Sequence, residues 1–461
     1  MKKTLFYMCN FALLTLAISG CGSSSSDEET EYPATYIQFY NGSVNSSTTS
    51  LYVDDSLLGG SSYGDATSLG TLESDEVDLE FRRVDADNKT VIIKEMTANL
   101  KEGYKTLFLL SGDYADADIT ELSFERETLD DHFRLFTTSV VTSVPQYDVY
   151  MAEEGTPFSD ATLVSKANYQ SLDEAVYWAP DATSTTDASD DFDLDDYVIY
   201  LTLPGEAVPI YESPTISFIY STEYVIAVRS TAGALRNNIE LDLIVNSTAV
   251  TSYADVNASS QYRIYNSLDD DSTLTISLDG NNEESELVSL AANSLSEFKQ
   301  LAYGDYRLSA SLASANVSPL ANRLLTLNQG ESKAVVLYAD NSNKLKSIAF
   351  IESALPQTYD HEIKVANLVQ DFSDLEIYFV RNDETIETAK YKLASLDFEE
   401  SRSIVLPKDY YEIVAVYDDS SGNEVLLERT QAIGFNEEVN YIVTIEKSAA
   451  TPSGYAVAIL H

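Results

Sequence analysis

The chain has few of the side chains on which metal sites and many catalytic sites depend. It contains two cysteines, three histidines and one tryptophan. A zinc site needs several cysteine or histidine ligands close together, and neither residue is available in numbers. A Ser-His-Asp triad needs a histidine held by a buried carboxylate, whereas His132, beside Asp130 and Asp131, is interpreted as a surface loop histidine. We therefore predict that the protein is not an enzyme.

Basic residues are also scarce. Lysine and arginine number 28 against 75 aspartates and glutamates, which gives a formal net charge of −47. Such a surface repels the phosphates of nucleic acids, so the sequence excludes nucleic acid as a partner. It also repels other anionic cell-surface polymers unless divalent cations lie between them.

The acidity does not predict disorder. Apolar and aromatic residues make up 44% of the chain, and 31 tyrosines and 17 phenylalanines are spread along it. This supply is sufficient to build hydrophobic cores. The length exceeds what a single core normally serves, so we expect several domains.

The amino terminus carries an export signal. Two lysines follow Met1, and Leu5 to Ile18 are mostly apolar. A segment this short is typical of a signal peptide rather than a membrane span, and we assign residues 1–20 to it. The polar, acidic residues 21–33 are predicted to form a flexible tether.

The end of the signal peptide reads Ile18-Ser19-Gly20-Cys21. This sequence resembles the lipobox of bacterial lipoproteins, and the resemblance implies cleavage before Cys21 and acylation of its thiol. By similarity to enterobacterial sorting, Gly22 implies retention in the outer membrane. The mature chain would then have no free cysteine, because Cys9 leaves with the signal peptide.

Strand-like runs of β-branched and aromatic residues recur along the rest of the chain, in four similar sets. Each set opens with an alternating strand that ends on a polar residue: Ile37–Asn41, Phe133–Thr137, Tyr262–Asn266 and Glu362–Asn367. A second strand follows after about ten residues: Leu51–Asp55, Tyr147–Tyr150, Leu274–Gly280 and Leu375–Phe379. The fold class is therefore predicted to be all-β.

Later strands complete the sets. Two sets share an Asp-Tyr strand: Gly304–Leu308 and Lys408–Ile413. A closing strand is visible in each set: Gly103–Phe108, Glu223–Val228, Lys333–Tyr338 and Asn440–Val443. Six to eight short strands in roughly 100 residues is the size of an immunoglobulin-like β-sandwich. We expect sandwiches at 34–127, 128–249, 257–353 and 358–461, with links around 245–260 and 353–359.

The order of these strands resembles a family of exported bacterial sandwich domains that is classed as a domain of unknown function. Its hallmark is a strand of the Asp-Val-Tyr-Val-Asp-Gly type followed by a Gly-Asp-Tyr strand. The match is best from Tyr262 to Glu352 and weakest in the second set, where Met151-Ala152 replaces Asp-Gly. The resemblance implies a cell-envelope location and a sandwich fold. It implies no activity and supplies no catalytic residues.

Calcium is the ligand that the acidic residues suggest most readily. Asp191, Asp193 and Asp195 alternate, so in an extended segment their carboxylates would point the same way. The run departs from the helix-loop-helix calcium loop, because Asp196 replaces the glycine and Thr202 the bidentate glutamate. Secondary candidates are Asp113, Asp116 and Asp118, and the cluster Asp269-Asp270-Asp271. The alternative is a solvated acidic loop that binds divalent cations weakly.

These observations predict a non-enzymatic lipoprotein of the cell envelope with structural, adhesive or partner-binding roles. Its sandwich cores are expected to stack outward from the lipid anchor, towards an envelope or extracellular protein or a polysaccharide. A calcium-dependent carbohydrate- or ligand-binding module is the alternative. A hydrolase is the weakest option, since 75 acids supply many carboxylate pairs by number alone. No cofactor is predicted, with calcium left open.

Overall fold

The regular structure of the chain consists almost wholly of β-strands. The computed structural model describes residues 34–461, apart from 74–75, 86–87, 130–131, 177–190, 219–220, 222, 236–237, 270–272, 281–284 and 313–316. Within this part there is no α-helix, and the helical turns are the 3-10 turns Tyr114–Asp116, Phe158–Asp160 and Gly233–Leu235. The prediction of an all-β chain of tandem sandwiches is confirmed.

The strands fall into four modules, each made of two sheets. Module 1 contains β1 (Thr35–Asn41), β2 (Thr49–Val53), β3 (Ser56–Ser61), β4 (Gly70–Leu72), β5 (Glu76–Val84), β6 (Thr90–Asn99), β7 (Tyr104–Ser111) and β8 (Asp118–Glu125). Module 2 contains β9 (His132–Ser139), β10 (Gln146–Glu153), β11 (Thr162–Asn168), β12 (Asp173–Glu174), β13 (Asp191–Asp193), β14 (Asp196–Thr202), β15 (Tyr211–Glu212), β16 (Ile216–Ser217), β17 (Glu223–Ser230), β18 (Ile239–Ile244) and β19 (Thr251–Ala254).

The two carboxyl-terminal modules repeat the pattern. Module 3 contains β20 (Ser260–Asn266), β21 (Leu274–Gly280), β22 (Ser285–Leu290), β23 (Ser294–Leu295), β24 (Lys299–Leu301), β25 (Gly304–Leu312), β26 (Leu320–Leu327), β27 (Ser332–Ala339) and β28 (Leu345–Ile351). Module 4 contains β29 (Asp360–Asn367), β30 (Leu375–Val380), β31 (Tyr391–Leu396), β32 (Ser401–Pro407), β33 (Asp409–Asp418), β34 (Glu424–Arg429), β35 (Ile433–Phe435), β36 (Ile442–Lys447) and β37 (Tyr455–Leu460).

The modules share one strand order. In module 1 the sheets run β4-β1-β7-β8 and β3-β2-β5-β6, and in module 4 they run β32-β29-β36-β37 and β31-β30-β33-β34. In every module the first strand pairs in parallel with the closing strand: β1 with β7, β9 with β17, β20 with β27 and β29 with β36. The four recurring strands seen in the sequence are therefore equivalent positions of one repeated topology. Sandwiches of the immunoglobulin type share an architecture without always sharing strand order.

Each module has its own core, formed by the inward-facing residues that alternate with outward-facing ones along each strand. In β21, Leu274, Ile276 and Leu278 are completely buried, whereas Thr275 is exposed and Ser277 half-buried. This period of two follows from the pleat, which points successive side chains to opposite faces. Burying one such Leu or Ile side chain contributes about 2 kcal/mol to folding.

A tyrosine near the start of each Asp-Tyr strand makes a turn-closing hydrogen bond. The Tyr306 hydroxyl donates to the Ala302 carbonyl at 2.7 Å, and the Tyr411 hydroxyl donates to the Pro407 carbonyl at 2.9 Å. In module 2, Tyr197 makes the same bond four residues back, to Asp193. Such a tyrosine corner fixes the approach of the chain to its strand. The motif tyrosine therefore has a structural role in module 3, whereas in module 4 the next residue, Tyr411, has that role and Tyr410 is exposed.

The polar residue that ends the first strand ties the two sheets together. Asn41, Asn266 and Asn367 are completely buried. Each donates through Nδ2 to a carbonyl of the opposite sheet: Ser61 at 3.1 Å, Leu290 at 3.2 Å and Leu396 at 3.1 Å. Each Oδ1 accepts from the backbone two residues further on, so the buried amide is satisfied on both sides.

The link expected around 245–260 is partly ordered as strand. β19 pairs with β18 and extends the larger sheet of module 2. In the described part of the chain, no helix is long and apolar enough to cross a membrane.

Candidate functional site

The residues predicted to carry the lipid and the calcium are described only in part. Cys21 lies outside the described residues, and so does the side chain of Asp191. Strand β13 ends at Asp193, whose Oδ1 lies 3.1 Å from His132 Nε2. Asp195, beyond the strand, accepts a bond from the Asp196 amide at 2.8 Å. Since the strand stops between Asp193 and Asp195, the expected alternation is interrupted there, and calcium binding stays a prediction.

Three of the secondary acidic candidates, Asp113, Asp118 and Asp269, have partners within the protein, and Asp116 is exposed in the 3-10 turn. Asp113 caps the 3-10 turn by accepting from the Ala115 amide at 2.9 Å, and this bond holds the pKa of Asp113 below its usual range. Asp118 accepts from Gln170, and Asp269 accepts from the Ala449 amide. Asp270 and Asp271 lie outside the described residues. Across the part described, no group of three or more His, Cys, Asp or Glu residues is placed to hold a metal ion.

His132 and His361 each contact another segment of the fold. His132 is the first residue of β9, which corrects its prediction as a loop residue. His361 is completely buried in β29, and its Nε2 lies 3.0 Å from the Glu437 carbonyl. Burial lowers the pKa of His361. Both histidines therefore pair with neighbouring segments of the fold.

One turn of module 1 carries a sequence pattern typical of hydrolases. Gly60–Gly64 reads Gly-x-Ser-x-Gly, the pattern of the nucleophile elbow between a strand and a helix. Here β3 ends at Ser61 and the next element is the short strand β4. The Ser62 hydroxyl lies 3.0 Å from that of Thr48. The segment is a turn of the sandwich, because the strand-to-helix context of the elbow is not present at these residues.

Modules 1 and 2 meet around a buried carboxylate. Asp242 has no exposed surface and accepts from Tyr40 Oη at 2.7 Å, Arg229 Nε at 2.6 Å and Ser252 Oγ at 2.7 Å. Arg229 also pairs with Glu240. A buried charge is tolerated only when it is paired and hydrogen-bonded, and Asp242 meets both conditions. Tyr40 lies in module 1 and the other groups lie in module 2, so the cluster joins the two.

A buried lysine lies at the same junction. Lys105 in β7 is completely buried, and its Nζ lies 2.9 Å from Asn246 Oδ1 of module 2. Burial lowers the pKa of this ammonium to about 7, although Glu223 opposes the shift. The amide oxygen of Asn246 is the hydrogen-bond partner that the buried group requires.

A buried ion pair of module 3 lies where modules 3 and 4 meet. Arg263 in β20 donates to Glu352 through Nε at 2.8 Å and through Nη2 at 2.7 Å. The same Nη2 also donates to the Asn440 carbonyl of module 4 at 3.0 Å. Desolvation raises the pKa of Glu352 even though Arg263 opposes the shift. The fork geometry of arginine suits this bidentate contact.

A second polar contact crosses the same junction. Tyr265 of module 3 donates from its hydroxyl to Glu446 of module 4 at 3.0 Å, and Thr444 donates to the other oxygen at 2.8 Å. Glu446 has no basic partner among these contacts, and burial raises its pKa to about 7. Apolar residues surround the contact: Tyr338, Phe350, Leu368 and Ile442.

Module 1 also contacts the segment that enters module 4. The rings of Tyr114 and Tyr359 pack edge to face with centroids 5.2 Å apart, and Arg83 lies 4.6 Å above the Tyr359 ring. Tyr359 packs against the core of module 1, although it directly precedes β29. The sequence predicted cores stacked outward one after another, whereas the first module here contacts the start of the last.

The candidate binding site is a cleft between β26 and β28 at the edge of module 3. Its cavity has a volume of about 390 Å³ and adjoins a second of about 240 Å³ that shares Arg323, Ser347 and Glu399. The larger cavity falls in the size range of small-molecule pockets. Lys344 and Lys346 lie on one side, at the start of β28, and Glu399 comes from a turn of module 4.

Two backbone irregularities position these cations. The register between β25 and β26 shifts at Leu308, so that Asn322, at φ +52°, lies in a bulge directly before Arg323. Bulges re-aim the side chains that follow them. On the other side Asn343, at φ +57°, closes the turn before Lys344. A bridge between Ser318 and Lys344 closes one end of the cleft.

The cleft concentrates positive charge in a strongly acidic chain. Its lining includes Arg323, Lys344 and Lys346 against one acid, Glu399. Lys346 lies 3.6 Å from Glu399, which also accepts from the Tyr338 hydroxyl at 2.6 Å. Among the described residues, neither the Arg323 guanidinium nor the Lys344 ammonium is paired with an acid. Sequence analysis missed this cleft, because Arg323 and Lys344 meet only when the two sheet edges come together.

No protein-family model matches the chain, and no curated protein matches it. Among solved structures, the chain is similar to the Bacillus anthracis TIE protein, with 9% identity over 92% of this chain and 75% of that one and a TM-score of 0.16. It is also similar to a candidate cell adhesion protein from Bacteroides fragilis, with 11% identity over 42% of this chain and 84% of that one and a TM-score of 0.12. At these TM-scores neither similarity carries an argument about this chain. The class that the structure itself defines is an all-β protein of tandem sandwich modules.

Proposed function

We propose that the protein is an exported lipoprotein of the bacterial outer membrane that presents a fixed array of β-sandwich modules to a binding partner. The export signal, the lipobox ending at Cys21 and the polar tether support the location. In this proposal the acyl chains hold the base, and the modules carry the binding surfaces. Its role is structural or adhesive rather than catalytic.

The observation that carries the proposal is the pairing of buried polar groups where modules meet. Asp242 receives bonds from two modules, and Arg263 reaches both Glu352 and the backbone of Asn440. Breaking a buried pair of this kind costs about 3–5 kcal/mol, because an uncompensated charge remains inside. Such junctions hold neighbouring modules in a set relation, as a scaffold requires, and leave the edges and loops available for a partner.

The lipid anchor is tested by substitution at Cys21. We expect Cys21→Ser to abolish labelling with a radioactive fatty acid and to move the protein from the membrane pellet to the soluble fraction. Cys9→Ser is the matched control, because Cys9 precedes the predicted cleavage point and should leave both readouts unchanged. Recovery of unlabelled Cys21→Ser protein in the membrane pellet would contradict the proposal.

Protease treatment of intact cells then distinguishes the two faces of the envelope. Loss of the mature protein, with a periplasmic marker intact, would support surface display. Protection until the outer membrane is opened would instead assign the array to the periplasm as a scaffold or accessory subunit.

A further inference from the structure

The cleft between β26 and β28 brings basic side chains from two sheet edges to one cavity. In a chain of charge −47, many of the described basic side chains form ion pairs, such as Arg82–Glu80 and Lys364–Glu362. The Arg323 and Lys344 side chains make no ion pair in the part of the chain that the structure describes, although the Asp340 carboxylate accepts from the Lys344 backbone amide at 3.0 Å. Exposed cations that make no ion pair, on the two walls of one cavity, can receive an anion.

We propose that this cleft is a binding site for a small oxyanion, a carboxylate or sulfate group, held between Arg323 and Lys344. The inference rests on the proposed function, since it names the chemistry of a ligand for the array. Arg323 supplies a planar fork suited to two oxygens, and Lys344 supplies a point charge from the opposite wall. Lys346 is partly neutralised by Glu399 and contributes less.

The surrounding charge limits the ligand to a small one. A long polyanion would extend beyond the cleft onto a surface that is acidic overall, where repulsion opposes binding. A single acidic group meets mainly the local cations, because at physiological salt charges more than about 8 Å away are largely screened. The cavity of about 390 Å³ leaves room for more than the acidic group itself. The acid group of a monosaccharide and a free inorganic anion share this chemistry.

The site is tested by titrating the purified full-length protein with D-glucuronate, inorganic sulfate and D-glucose and measuring the heat of binding by calorimetry. We expect saturable binding of the anions and none of neutral glucose. Arg323→Gln and Lys344→Gln should each raise the Kd for glucuronate about tenfold, since each removes a charge-assisted hydrogen bond. Both side chains are exposed, so the variants should melt like the wild type.

Arg307→Gln is the matched control. Arg307 is an exposed arginine of β25 in the same module, its register partner is Leu324, and it does not line the cavity. Arg307→Gln changes the net charge by the same amount as each cleft variant but removes no group from the cleft. It should therefore leave the Kd for glucuronate unchanged. Tighter binding of glucuronate than of sulfate would identify the acid group of a saccharide as the ligand, and equal binding would identify a free oxyanion.

Two results would overturn the site. One is the absence of saturable binding of either anion to the wild-type protein, and the other is an equal loss in Arg307→Gln. Neither result bears on the lipid anchor, because fatty-acid labelling and fractionation of the Cys21→Ser variant do not involve the cleft. Failure of the cleft and failure of the proposed location are therefore distinguishable.

Discussion

At the scale of single residues, the most unusual side chains are buried groups that can carry charge at the boundaries between modules. Lys105, Asp242, Glu352 and Glu446 are each at most 5% exposed. Desolvation penalises the charged form of any such group, so its partners decide whether it stays charged. Asp242 and Glu352 have an arginine, whereas Glu446 has two hydroxyl donors. Among the three carboxyl groups, Glu446 should therefore respond most to pH.

We predict that Glu446→Gln makes the stability of the protein less dependent on pH. Burial raises the pKa of Glu446 from its ordinary 4.5 to about 7. The protonated carboxyl therefore stabilises the folded state, fully below pH 4.5, and this contribution is lost as the pH rises through about 7. The loss amounts to about 3 kcal/mol, and a glutamine, which is neutral throughout, avoids it.

The measurement is the urea midpoint of wild type and variant at pH 5 and pH 8. The drop between the two values should be smaller in Glu446→Gln than in the wild type. Glu95→Gln removes one negative charge from an exposed position and should retain the wild-type drop. Equal drops in the two variants would show that general charge repulsion, rather than Glu446, sets the pH dependence.

At the scale of elements, the strands could be predicted and their irregularities could not. The run Leu274 to Gly280 alternates cleanly, and β21 has those bounds. The bulge before Arg323 in β26 could not be predicted from such a pattern, because the bulge depends on how β26 pairs with β25. Hence the sequence indicated the repeated topology but could not indicate the cleft that the bulge helps to form.

A glycine between elements gives a sharp test of module packing. Gly233 has φ +63°, and a Cβ there would lie 2.3 Å from the Ser353 carbonyl oxygen. That oxygen accepts from Ala234 of module 2 at 3.1 Å and from Asn440 of module 4 at 2.7 Å. We predict that Gly233→Ala separates these segments and lowers the unfolding midpoint by more than conformational strain alone.

Gly205→Ala isolates the strain. Gly205 has a similar φ of +76°, but nothing lies within 4 Å of the position of its Cβ. Its cost should be about 1 kcal/mol, the ordinary penalty of the left-handed conformation for alanine. Limited proteolysis should cut Gly233→Ala near residues 353–359 faster than Gly205→Ala. Identical cleavage and stability in the two variants would contradict the proposed role of the contact at Ser353.

At the scale of the whole molecule, the sequence predicted what each module is and missed how modules meet. Tyr40 and Asp242 are 202 positions apart, and Tyr265 and Glu446 are 181 apart. Periodicity reports which face of a strand is buried, but it does not distinguish a core from a junction. The contact between Tyr114 and Tyr359 could not be predicted for the same reason. An aromatic residue beside a strand can pack in its own module as well as against another one.

The net charge of −47 makes the assembled array sensitive to ionic strength. Repulsion among unpaired acids opposes the folded state, and salt screens it, with a Debye length that falls from about 30 Å at 0.01 M to about 8 Å at 0.15 M. We predict that Tm rises by a few degrees over this interval, as followed by scanning calorimetry. A Tm that falls with added salt would mean that attractive pairs outweigh the repulsion.

Specific binding of calcium can be distinguished from general charge screening by comparing the effects of calcium and magnesium on Tm at equal ionic strength. Asp193 already pairs with His132, so we expect both cations to raise Tm by the same amount. A calcium site needs six to eight oxygen ligands and tolerates irregular geometry, whereas magnesium demands an octahedron. A saturable rise with calcium alone, lost in Asp193→Asn and Asp195→Asn but kept in Asp113→Asn, would assign the site to the Asp191–Asp195 segment. Equal shifts would identify that segment as solvated acidic chain, whose contribution to the array is its charge.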